Sequence, residues 1–137
     1  MIEALGQGRV FTPEDCADLP RESGAYVLLI ELAAPFTGRF ASQDFTLPQG
    51  RFAYCGSANG PGGIAARVAR HFRRDKKPHW HVDQLTIAAR HITARAFPAG
   101  SECALVAKLL AAGATTPLPG FSSSDCRRCA AHLLAIR

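Results

Sequence analysis

No apolar run in this chain comes near the ~20 residues that a membrane-spanning helix needs, so no membrane partner is expected. The opening residues carry an acid at Glu3 and no apolar stretch of signal-peptide length, so a cytoplasmic location is the expectation. There is no internal repeat and no low-complexity tract, which sets aside solenoids and disordered linkers. The five cysteines are an odd number. Without an export signal they argue against a disulfide framework and for thiols or metal ligands. Only two tyrosines occur, and acids are outnumbered, eleven against sixteen Lys and Arg.

What is present fits one globular domain spanning residues 1–137. The length allows a real core but not two of them, and nearly half the residues are apolar. The charge is concentrated. Arg67, Arg70, Arg73, Arg74, Lys76 and Lys77 stand against Asp75 alone, while the ten other basic residues are matched by ten other acids. Such a patch is an electrostatic footprint for phosphate, or else a solvated helix face.

Residues 25–32 (Ala-Tyr-Val-Leu-Leu-Ile-Glu-Leu) follow a turn signal and predict a central strand buried on both faces. Residues 36–47 predict an edge segment or hairpin, leading to a second buried strand over 51–55 and an antiparallel meander. After Gly60-Pro61-Gly62-Gly63 an amphipathic helix is expected. Ile64, Val68 and Phe72 form its apolar stripe, Arg67, Arg70 and Arg74 lie on another face, and His71 borders both. A short helix should begin within 79–85, and Asp83 there either orients a histidine or caps that helix. Residues 91–97 predict a strand. Ser101 is the expected N-cap of a helix through Ala112, with Val106, Leu109 and Leu110 inward and Gly113 as the stop. The tail ends in a short apolar strand. The fold class is therefore α/β in the α+β sense, a small antiparallel sheet flanked by helices.

The chemistry-bearing residues come in a fixed order. Gly24-Ala25-Tyr26 and Tyr54-Cys55-Gly56 each place a tyrosine beside a glycine at an apolar strand. Arg67 and His71 follow on the basic helix, and Glu102 opens a later one. This order resembles the GIY-YIG nucleases, and most closely a GIY-YIG-like family once filed as a domain of unknown function. That family is also similar in the Gly-Ser-Ala after the second motif, Arg70-His71, His79-Trp80-His81-Val82-Asp83, Glu102-Cys103 and Phe121-Ser-Ser-Ser-Asp-Cys126. Ala25 and Cys55 replace the middle isoleucines, the gap between motifs is longer than in the compact nucleases, and Gly60-Pro61-Gly62 is extra.

The resemblance implies a metal-dependent endonuclease that hydrolyses phosphodiester bonds. One of Tyr26 and Tyr54 would orient or deprotonate the water and the other line the site. Arg67, whose planar fork can grip two oxygens, would contact the scissile phosphate with His71 beside it. Glu102 would hold Mg2+ or Mn2+, and Arg70, Arg73, Arg74, Lys76 and Lys77 would track the nucleic-acid backbone. The implied partner is DNA, branched or damaged DNA included. Fusion of such a domain to a DNA glycosylase of the endonuclease III type in some relatives points to repair or processing, with a repair protein as a further partner.

Other readings of the same residues stay open. Glu102 is what the first turn of any helix favours, and the tyrosines could be core aromatics with satisfied hydroxyls. The whole could be a catalytically silent nucleic-acid-binding module of a repair complex. Cys126, Cys129 and His132 offer three ligands for a structural zinc, which would make the chain an interaction domain.

Overall fold

The computed structural model describes residues 2–121 and 131–136. Among the described residues two short 3-10 turns, Ile2–Leu5 and Pro13–Asp18, precede six strands and three helices. The strands are β1 (Gly24–Leu32), β2 (Phe36–Phe40), β3 (Gln43–Leu47), β4 (Gly50–Ala58), β5 (His91–Pro98) and β6 (Leu133–Ile136). The helices are α1 (Gly63–Phe72), α2 (Val82–Ala88) and α3 (Glu102–Ala111). Four strands form an antiparallel sheet in the order β5-β1-β4-β6. The mixed α+β class is therefore as the residue pattern implied. Among the described residues no helix is long and apolar enough to cross a membrane.

The expected meander is not what forms. All nine residues of β1 pair directly with β4, and β2 with β3 makes a separate two-stranded sheet. The β2–β3 hairpin is pinned instead to α2. The Gln84 carboxamide accepts from the Arg39 amide at 3.0 Å and donates to its carbonyl at 2.8 Å, imitating a strand neighbour. Phe40 and Phe45 then pack on Phe121.

Strand alternation splits the core into two layers. Tyr26, Leu28 and Ile30 face Ile64, Val68 and Phe72 of α1 and Val82 and Leu85 of α2. Ala25 and Val27 face Leu105, Val106 and Leu109 of α3. Leu110, expected inward, is 38% exposed, because it lies one step past this stripe on the helix. The α2 helix starts at Val82, and the amides of His79 and Trp80, which precede it, are held by the Asp83 carboxylate. Ser101 caps α3 as expected, its hydroxyl accepting from the Ala104 amide.

The glycine of the second motif has a steric reason. Gly56 lies opposite Tyr26 in the β1–β4 register. A Cβ there would come within 2.4 Å of the tyrosine Cζ and hydroxyl oxygen. Only a residue without a side chain lets the Tyr26 ring lie across β4.

Candidate active site

Tyr26 comes from β1, Tyr54 from β4, and Arg67 and His71 from consecutive turns of α1, so the site forms where the helix crosses the two central strands. The Tyr26 hydroxyl and His71 Nε2 share a hydrogen bond of 2.8 Å. The ring centroids of Tyr26, Tyr54 and His71 lie 5.4 to 6.4 Å apart. Tyr26 is 2% exposed, His71 is fully buried and Tyr54 is half-buried.

His71 was expected at the border of two helix faces, and its burial corrects that. It stands seven residues after Ile64, two turns along the apolar stripe, so the same periodicity that buries Val68 buries it too. Burial, with Lys76 adding to it, holds the imidazole down to about 3, so it is neutral at physiological pH. Burial, with Tyr54 adding to it, pushes the Tyr26 phenol well above its ordinary range despite Arg67 nearby. Burial thus favours the neutral phenol of Tyr26. Among the described residues His71 Nδ1 has no partner. A Tyr26 hydroxyl donating to Nε2 leaves only that N–H unpaired, whereas the reverse bond leaves the phenol hydrogen and the Nδ1 lone pair both unmet.

Arg67 stands at the rim. Its Nη1 donates to the Ser57 carbonyl at 3.4 Å and its guanidinium lies 4.9 Å from the Trp80 ring centroid. No carboxylate pairs with it among the described residues. The other basic side chains expected to track a nucleic-acid backbone are differently placed. Arg70 is held by Asp83 through two bonds of 2.9 Å and lies 4.4 Å from the same indole centroid. Lys76 donates to the carbonyls of Arg70 and His71, capping the C-terminus of α1, and burial lowers its ammonium to about 8. Arg74 donates to the carbonyls of Ile87 and Ala89. Arg73 pairs at the surface with Asp75, and Lys77 is exposed. Sequence shows the sign of these charges but not that Arg70 and Arg74 tie this region to α2 while Lys76 folds back on α1.

Asp83 is the most heavily used carboxylate of the region. It has no exposed side-chain surface and accepts from both Arg70 nitrogens and from the amides of His79 and Trp80. Burial raises its carboxyl, but those four donors together outweigh that and hold it below the usual range. Its carboxylate meets backbone amides before α2 and the Arg70 guanidinium.

Glu102, in the first turn of α3, adds to the field at the Tyr26 hydroxyl. Its Oε2 lies 3.6 Å from His132 Nδ1, and its side chain is 26% exposed. That proximity had no signal in the sequence, because it depends on β6 docking beside β4. Among the described residues no three His, Cys, Asp or Glu side chains converge. A lone carboxylate at a partly open position suits a hard divalent cation that keeps most of its waters and shares a phosphate, as Mg2+ does. His132 is buried, and its Nε2 has no partner among the described residues. Cys126 and Cys129, read with it as a structural zinc set, lie outside the described residues.

Fold and site together define a small α+β domain in which a buried tyrosine–histidine pair sits under an arginine-bearing aromatic rim. The chain belongs to the family described as "Domain of unknown function DUF123", which matches residues 25–137. No curated protein and no solved structure matches it.

Proposed function

We propose that this protein is a metal-dependent endonuclease of the GIY-YIG type that hydrolyses phosphodiester bonds in DNA, in repair or processing. One observation carries the reading. Tyr26, Tyr54 and His71, far apart in sequence, meet at one crossing of sheet and helix, with Arg67 one helical turn away at the rim.

The chain's own residues divide the work as follows. Tyr26 and His71, both neutral, are a rigid floor that fixes the second tyrosine and the helix. Tyr54, the less buried ring, is the tyrosine that orients the water. Arg67 grips a non-bridging phosphoryl oxygen with its planar guanidinium. Glu102 is the residue that would hold a divalent cation. When bound, that ion supplies Lewis acidity to the phosphoryl oxygen and leaving alkoxide. Arg73 and Lys77 meet flanking phosphates, and Arg70, Arg74 and Lys76 mainly hold the rim in shape.

A second reading, a catalytically silent nucleic-acid-binding module, is favoured by the 2% exposure of Tyr26. The test is cleavage of supercoiled, branched and single-stranded DNA with Mg2+ or Mn2+ by wild type, Glu102→Ala and Arg67→Ala. The endonuclease reading expects wild-type cleavage that both substitutions abolish, with binding kept in Glu102→Ala. Binding without cleavage on every substrate would favour the silent module.

A further inference from the structure

Two guanidiniums share one indole. Arg67 and Arg70 both lie within 5 Å of the Trp80 ring centroid, at 4.9 and 4.4 Å. Like charges so placed repel, and stacking on an aromatic face offsets only part of this. Asp83 makes the arrangement tolerable. Its buried carboxylate neutralises Arg70 through two bonds and takes the backbone amide of Trp80 itself at 2.9 Å. The indole, its backbone and one of its two cations are therefore tied to a single carboxylate. The second cation, Arg67, has no such partner among the described residues and keeps its charge uncompensated.

We propose that Trp80 is a positioning residue. Anchored through Asp83 and Arg70, it holds the Arg67 guanidinium in one pose for a phosphodiester oxygen. This rests on the endonuclease reading above for the identity of the ligand. The physical gain is preorganisation. An arginine already stacked has given up most of the rotamer freedom that it would otherwise lose on gripping phosphate. A lysine has no planar face to lay on the ring and would not be held in this way.

Trp80 is the only tryptophan, so its fluorescence reports the stack in the protein alone. Arg67→Ala should make it more accessible to acrylamide quenching. A second measurement is a double-mutant cycle of Trp80→Leu and Arg67→Ala, read by anisotropy of a labelled DNA duplex and, where cleavage occurs, by kcat and KM. If Trp80 acts through Arg67, Trp80→Leu weakens binding in wild type but adds almost nothing to Arg67→Ala, a coupling of roughly threefold or more. Trp80→Phe, which keeps an aromatic face, should restore part of the loss and guards against a variant that fails to fold. Unchanged quenching in Arg67→Ala overturns the inference, as do effects of the two substitutions that simply multiply. Coupling in binding by a protein that cleaves nothing upholds the inference and overturns the endonuclease reading. A wild type that binds no DNA overturns both.

Discussion

Removing the Asp83 carboxylate is the sharpest single perturbation of the rim. Asp83→Ala deletes four acceptor contacts at once, two with the Arg70 guanidinium and two with the His79 and Trp80 amides that precede α2. Breaking a buried ion pair by removing one partner costs about 3 to 5 kcal/mol. Arg70 keeps 27% of its side-chain surface in water and can turn towards it, which places the loss near the lower end, about 3 to 4 kcal/mol. For a domain of this size that is a fall in Tm of roughly 10 to 15 °C. Urea unfolding at pH 7 should show a lower midpoint with an unchanged slope. Asp83→Asn keeps one oxygen, which can still accept from both amides because they share Oδ2, but faces Arg70 Nη1 with another donor, so about half the loss is expected. The pH dependence supplies a second check. The folded carboxyl titrates below its unfolded value, near 3.9, so its contribution is complete above about pH 5 and disappears as pH falls through the folded value. The stability gap between wild type and Asp83→Ala should therefore narrow below about pH 4. A gap that stays constant to pH 3, or a loss under about 1 kcal/mol at pH 7, would refute the assignment of a buried, ionised pair.

Two further outcomes are expected. His71 is held down to about 3 by burial, whereas the unfolded imidazole takes up its proton below about 6.5. The unfolded state binds the extra proton in that window, so wild-type stability should fall as pH drops from 6.5, with a slope approaching ~1.4 kcal/mol per pH unit. His71→Leu should be flatter in urea titrations between pH 7 and 4.5, and an equal slope in both proteins would argue against a buried neutral imidazole. DNA affinity should depend only moderately on salt. With Arg70, Arg74 and Lys76 bonded internally, about three cations remain for phosphates, and a log–log slope near −3 is expected rather than one near −5 for all six. Anisotropy titrations across a series of salt concentrations measure it directly.

Legibility in the sequence followed the range of the interactions. The apolar run of β1, the stripe Ile64, Val68 and Phe72 and the Ser101 cap are local signals, and each marks an element that forms. Pairing is not local. That β1 skips the hairpin and takes β4 as its neighbour depends on Gly56 giving space to Tyr26 thirty residues back in the chain. The two tyrosines, Arg67 and His71 could be singled out by the family resemblance of their order; Tyr26, Tyr54 and His71 do meet, with Arg67 at the rim. The depth of the meeting could not be, because His71 is polar and a reader assigns it to a surface even where the period of seven buries it. Trp80 and Asp83 show why a cation cluster is a poor inventory of phosphate contacts. Whether an arginine meets a ligand or a neighbour is settled by a carboxylate thirteen residues away.

The glycine-rich turn before α1 has one more consequence. A turn of this kind opening a basic helix would ordinarily present bare amides to an anion. Here those amides are already engaged: Ile64 donates to the Glu22 carbonyl, Ala65 to that of Pro20, and Gly63 and Ala66 to those of Gly60 and Gly62. Gly63 itself lies so close to the Arg21 and Glu22 carbonyls that no Cβ fits. The N-terminus of α1 is consequently a structural weld to the segment before β1, not a phosphate cradle. Any anion must be met by the helix flank, through side chains alone. Its grip can then be weakened one residue at a time while the backbone that carries those residues stays intact.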